Sequence, residues 1–162
     1  MKKKNILLVR SFLFLFALIC LPFSGFTANK THYVNRNNPS PSPPYLTVLS
    51  AAQQIQDVII ICNITNYERI VVLDDEDYTV LDINGRQNIR IMNTNLSFYP
   101  RIVATGNNRG VDIRNSSRIR IQNIRITNAN NDGIRIENST QCTIVRVHSY
   151  SNSENGLRFN NN

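Results

Sequence analysis

The sequence predicts an all-β chain, a parallel β-helix, on three observations. Gly110-Val-Asp-Ile-Arg-Asn115, Gly133-Ile-Arg-Ile-Glu-Asn138 and Gly156-Leu-Arg-Phe-Asn-Asn161 recur at a spacing of 23 residues, the mark of stacked supersecondary units. Inside each unit apolar and polar residues alternate, at Val111/Ile113, Ile134/Ile136 and Leu157/Phe159, as strands require. Further short strands follow in the repeats, at 118–121 and 124–126, then at 142–144 and around Val147, with no helix or hairpin signal between them. Each strand must then pair with its equivalent one repeat later.

Residues 1–28 read as an export signal, or an uncleaved N-terminal anchor: Lys2, Lys3, Lys4 and Arg10 lead into a run rich in Phe, Leu and Ile. The whole chain carries +7, but four of its 18 basic residues lie in that segment and none of its 11 acids does. The remaining 14 basic and 11 acidic residues leave about +3, mostly arginines scattered among acids. No basic patch with interleaved aromatics suggests nucleic acid, and no membrane contact is expected beyond the first segment. Residues 29–44 form an extended, proline-rich stretch after a short strand at 32–34. A capping helix is expected over 46–56, with Thr47 as its cap and Val48, Ala51, Ala52 and Ile55 on one face, covering the first layer. The β-helix itself spans 45–162, with coils from residue 57, where 57–63 is the first strong strand and 70–73 the second. The segments at 80–83 and 88–91 resemble later ones displaced by 30 rather than 23 residues, which puts a longer loop around 97–106.

Stacked in register, Val111/Ile134/Leu157, Ile113/Ile136/Phe159, Ile121/Ile144 and Ile124/Val147 make apolar columns. Asn115, Asn138 and Asn161 make a turn column, an asparagine ladder suited to left-handed backbone. As enclosed ladder residues, the sequon asparagines Asn115 and Asn138 are expected to carry no glycan. Outward, Asp112/Arg135/Arg158 and Arg114/Glu137/Asn160 set opposite charges one layer apart. Cys62 and Cys142 lie on strands several layers apart, so two buried thiols are expected rather than a disulfide. Asp74-Asp-Glu-Asp77 reads as a solvated turn; calcium is conceivable there but lacks a ligand motif, and no metal or cofactor is assigned.

Arg125 and His148 stand outward on the last strands of their coils, and the following turns carry Asp132 and Glu154. A carboxylate beside a basic group is raw material for acid–base chemistry on a sugar, and equally what a polar turn offers by chance.

The Gly-Ile-x-Ile-x-Asn units, together with the opening Tyr33-Val-Asn and Pro44-Tyr-Leu-Thr-Val-Leu-Ser-Ala-Ala, resemble the pectate-lyase-like superfamily. That resemblance implies a right-handed, single-stranded parallel β-helix of about four coils. Asn130-Asn-Asp-Gly-Ile134 is similar to a polygalacturonase motif in which Asp132 would be a catalytic aspartate. The paired aspartates expected one coil later are reduced to Glu154, and the later Gly-His-Gly and Arg-x-Lys motifs are missing. Asp132 and Glu154 are the candidate catalytic residues, Arg125 and His148 the candidate substrate-binding ones. The stack ends on one uncovered strand, so the chain is expected to be truncated at its C-terminus, as the first part of a longer protein, with an edge open to self-association. The functional expectation is an exported protein, secreted, periplasmic or on the cell surface, that interacts with polysaccharide. Either it belongs to a uronate-polymer-degrading enzyme, a lyase or glycoside hydrolase, or it is a non-catalytic adhesin or glycan-binding module.

Overall fold

The computed structural model describes residues 29–161; the expected signal or anchor at 1–28 lies outside them. Eleven strands follow one another: β1 (Lys30–Val34), β2 (Glu68–Val72), β3 (Asp77–Tyr78), β4 (Leu81–Asn84), β5 (Ile89–Asn93), β6 (Arg101–Val103), β7 (Arg109–Arg114), β8 (Arg120–Thr127), β9 (Asp132–Glu137), β10 (Thr143–Tyr150) and β11 (Leu157–Asn160). One 3-10 turn (Val48–Ser50) and one α-helix, α1 (Ile55–Ile61), interrupt them. All the strand pairs are parallel. They form a seven-stranded sheet that includes β1, β2, β5, β8, β6, β3 and β10, and a four-stranded sheet ordered β11-β9-β7-β4.

This arrangement corrects the expected right-handed, single-stranded parallel β-helix. The protein is mostly parallel strands in one curled, half-barrel sheet and a second parallel sheet, rather than a set of short single strands on successive coils. The physical reason lies in β8 and β10. The sequence reads 118–121 and 124–126 as two short strands with a break at Asn123. Instead β8 runs unbroken for eight residues and bends at Asn123, whose φ is 57°; β10 does the same at Arg146, φ 48°. An asparagine tolerates the left-handed region within a strand, so the strand turns the corner without ending. The first part of β8 pairs with β5 (Ile91↔Ile121) and its last part with β6 (Ile102↔Ile126). Two ladders thereby fuse into one curled sheet. The pairing offset falls from 30 residues at Met92↔Gln122 to 24 at Arg101↔Arg125, which places the extra residues in the 94–100 loop, a little earlier than expected.

The 23-residue register itself is present: Val111↔Ile134, Ile113↔Ile136, Leu157↔Ile134 and Ile144↔Ile121. Leu81, Ile83, Val111, Ile113, Ile134 and Ile136 are buried in one core with Ile70, Ile91, Ile102, Ile121 and Ile126. Each such side chain contributes roughly 1.5–3 kcal/mol. The burial depends on the next layer. Ile136 is 1% exposed, whereas Phe159, its partner on β11, is 61% exposed.

The capping region is also corrected. The helix expected over 46–56 is only a 3-10 turn, capped by Thr47 in a reciprocal box with Ser50, and Val48 is 53% exposed. The α-helix comes later, where 57–63 had the composition of a strand. Ile55, Val58, Ile59 and Cys62 are all buried; their spacing is that of one helical stripe, and Asp57 in the first turn suits the helix N-terminus. The helix packs on β1, β2 and β4. Tertiary burial of the stripe overrides the strand preference of Val58–Ile61.

Candidate functional site

The predicted site residues divide between two places. Asp132 opens β9 in the four-stranded sheet and is 0% exposed. Its Oδ1 accepts from Asn155 Nδ2 at 2.9 Å, while Oδ2 has no hydrogen-bond partner and faces Arg158 Nη1 at 3.9 Å and Arg109 Nε at 4.0 Å. Glu154 reaches the same Arg158 Nη1 at 3.5 Å. The structure thus does bring Asp132 and Glu154 together, bridged by one guanidinium. The bridge separates them in function as well: Glu154 is exposed, but Asp132 lies beneath Asn155 and the two arginines. An acid or base acting on a sugar must come within hydrogen-bond reach of it, directly or through one water, and the buried Asp132 offers no such face. Gly133 tightens this corner. A Cβ there would stand 1.9 Å from Ser149 Oγ and 2.9 Å from the Gly156 carbonyl.

Arg125 and His148 stand on the curled sheet, paired across β8 and β10. Arg101 on β6 is the neighbour of Arg125 on the other side, and Asp77 on β3 the neighbour of Arg101. Asp77, Arg101, Arg125 and His148 therefore form one row across four adjacent strands, about 4.7–4.9 Å apart. Arg125 Nε and Nη2 both donate to the Tyr99 carbonyl at 2.9 and 2.7 Å, which fixes its guanidinium against the 94–100 loop. The Tyr99 ring meets His148 edge-on, with centroids 5.6 Å apart and planes at 71°, a favoured aromatic geometry. Arg101 forms a bidentate pair with Asp77 at 2.7 Å through both nitrogens, and that guanidinium holds the Asp77 carboxyl below the usual carboxylate range. Tyr150 is 43% exposed at the same end of β10. Arg101, Tyr99 and Tyr150 were missed by the sequence reading. The longer loop shifts the offset at β6, so Arg101 did not fall into the column of Arg125.

The charge columns of the four-stranded sheet take the expected form in the middle: Arg135 grips Asp112 bidentately at 2.8 Å, and Arg114 reaches Asp82 at 2.9 Å and Asp112 at 3.3 Å. Asp82, Asp112, Arg109 and Arg114 also line a shallow cleft of about 200 Å³. The ladder asparagines Asn115, Asn138 and Asn161 all have left-handed φ values of 47–51°, as expected. They are exposed rather than enclosed, so enclosure does not bar a glycan at Asn115 or Asn138. Of the three, Asn115 donates to Asn84 Oδ1 at 3.0 Å. The side chains that tie layers together stand one residue later. Ser139 Oγ accepts from Ser116 N, and Ser116 Oγ accepts from Arg86 N, both at 3.0 Å.

The acidic turn is occupied by structural partners. Asp74 accepts from Arg36 N and the Tyr78 hydroxyl, and Glu76 accepts from Asn37. The two cysteines among the described residues are free thiols; Cys62 is buried, Cys142 only partly so. Comparison with models of known protein families, with curated proteins and with solved structures finds no match for this chain.

Proposed function

We propose that the protein is a non-catalytic module that binds acidic polysaccharide through the outer face of the curled sheet. The observation that carries this reading is the row Arg101–Arg125–His148 across β6, β8 and β10, flanked by Tyr99 and Tyr150. The Tyr99 carbonyl holds Arg125 through Nε and Nη2, which pre-organises the guanidinium and leaves Nη1 to donate to a ligand carboxylate. Aromatic rings beside them offer apolar faces to a sugar ring. The spacing of the strands presents these groups in a line, as an extended polymer would need. The resemblance of Asn130–Ile134 to a polygalacturonase motif supports a saccharide as the ligand class. The burial of Asp132 favours binding over cleavage. The basic, apolar segment at 1–28 supports export to the cell surface or beyond.

A panel of uronate polymers and neutral polysaccharides tests the reading by affinity electrophoresis and calorimetry. Retardation by the uronate polymers, weakened by salt and by His148→Ala, is the expected result. Equal affinity for neutral and acidic polymers, or none for either, would overturn it.

A further inference from the structure

We propose that His32, Cys62 and Glu68 form a buried binding site for a single zinc-class divalent cation. The three ligand atoms, an imidazole nitrogen, a thiol sulfur and a carboxylate oxygen, lie within 4.8 Å of one another, and all three residues are buried. They come from β1, the end of α1 and the start of β2, so the ion would join three elements. The hydrogen-bond pattern around His32 points the same way. Its Nδ1 lies 2.6 Å from the Pro44 carbonyl, which can only accept, so Nδ1 carries the proton. Nε2 then faces Glu68 Oε2, 2.8 Å away, and both atoms carry lone pairs. A cation must sit between them, either a proton or a metal. A ligating histidine that donates its other N–H to a backbone carbonyl is the usual outer-shell arrangement of a metal site. The mixed N, S, O donor set suits Zn2+ rather than Ca2+ or Mg2+. On binding, the ion takes the place of the Cys62 proton.

The test uses the whole chain, stripped with a chelator and titrated with Zn2+ against a chromophoric competitor, with Co2+ as the spectroscopic probe. The expected result is one ion per chain, thiolate-to-cobalt charge-transfer absorption, and loss of both in Cys62→Ser and His32→Gln but not in Cys142→Ser. If the variants do not fold, the wild-type protein still answers: Zn2+ should slow alkylation of Cys62 at least tenfold while leaving Cys142 unaffected. Absence of stoichiometric binding, binding retained in Cys62→Ser, or a Cys62 alkylation rate indifferent to Zn2+ would overturn the site and leave a proton-bridged His32–Glu68 pair.

Discussion

Asp132 and the Arg101–Arg125–His148 row are both clusters of charge on parallel sheets, and they differ in one respect that decides their roles. Asp132 is enclosed: one oxygen is held by Asn155, and the other faces two guanidinium groups with no water-facing side. The row is open. Its central arginine is fixed from behind by the Tyr99 carbonyl, and His148 and Tyr150 are exposed. A motif-like aspartate therefore reads as a structural anchor for the turn before β9, and the less distinctive row is the surface a ligand can reach. The contrast teaches that proximity of acid and base is not a site until something outside the protein can touch it.

The largest expected effect comes from breaking the enclosed cluster. Asp132→Ala leaves Arg109 and Arg158 without their shared carboxylate beside a buried gap. It should destabilise by about 2–3 kcal/mol, since it removes the charged acceptor of the Asn155 amide and leaves that donor at the gap, while the partly exposed arginines remain solvated; urea denaturation measures this. Next is Gly133→Ala, in which the new methyl meets Ser149 and the Gly156 backbone and should cost about 1–3 kcal/mol. Gly156→Ala is its control. The equivalent Cβ there meets nothing closer than 3.6 Å, so the midpoint should stay near wild type. Equal losses in the two would mean that the layers do not pack as described.

In the open row, Arg125→Ala should cost only about 1 kcal/mol of stability, since it removes two bonds to one carbonyl at a partly exposed position, while it removes ligand affinity. The smallest effect concerns pH. Asp77 is held below its ordinary value by Arg101, so its contribution to stability is fully present above about pH 4 and is lost as the pH falls through the lowered value. The pair is solvent-exposed, so a melt series from pH 6 to pH 3 should show only a small part of the acid loss removed by Asp77→Asn.

The alternation at Val111/Ile113 and Ile134/Ile136 was legible because inward positions of a strand must be apolar, and the register followed from the period. The path of the chain at its corners was less so. Asn123 looks like a break in sequence, yet its tolerance of left-handed backbone lets β8 continue, as β10 does at Arg146, and separate short strands become a curled sheet. The run Val58–Ile61 looked like a strand because β-branched residues favour one, while the stripe Ile55, Val58, Ile59, Cys62 needs a helix to bury it. Of the sites, the Arg125–His148 pairing could be read from the register. The burial of Asp132 could not, since it depends on where Asn155 and Arg158 fold back. Nor could the His32–Glu68 contact, 36 residues apart with no motif between them.

The most direct measurement is a single calorimetric series with a polygalacturonate oligomer, comparing wild type, Asp132→Asn and Arg125→Ala, with reducing ends assayed in the same samples. The predicted result is wild-type affinity for Asp132→Asn, at least a tenfold loss for Arg125→Ala, about 1.4 kcal/mol or more, and no reducing ends in any sample. Reducing ends that appear with wild type and vanish with Asp132→Asn, or unchanged binding by Arg125→Ala, would contradict the account.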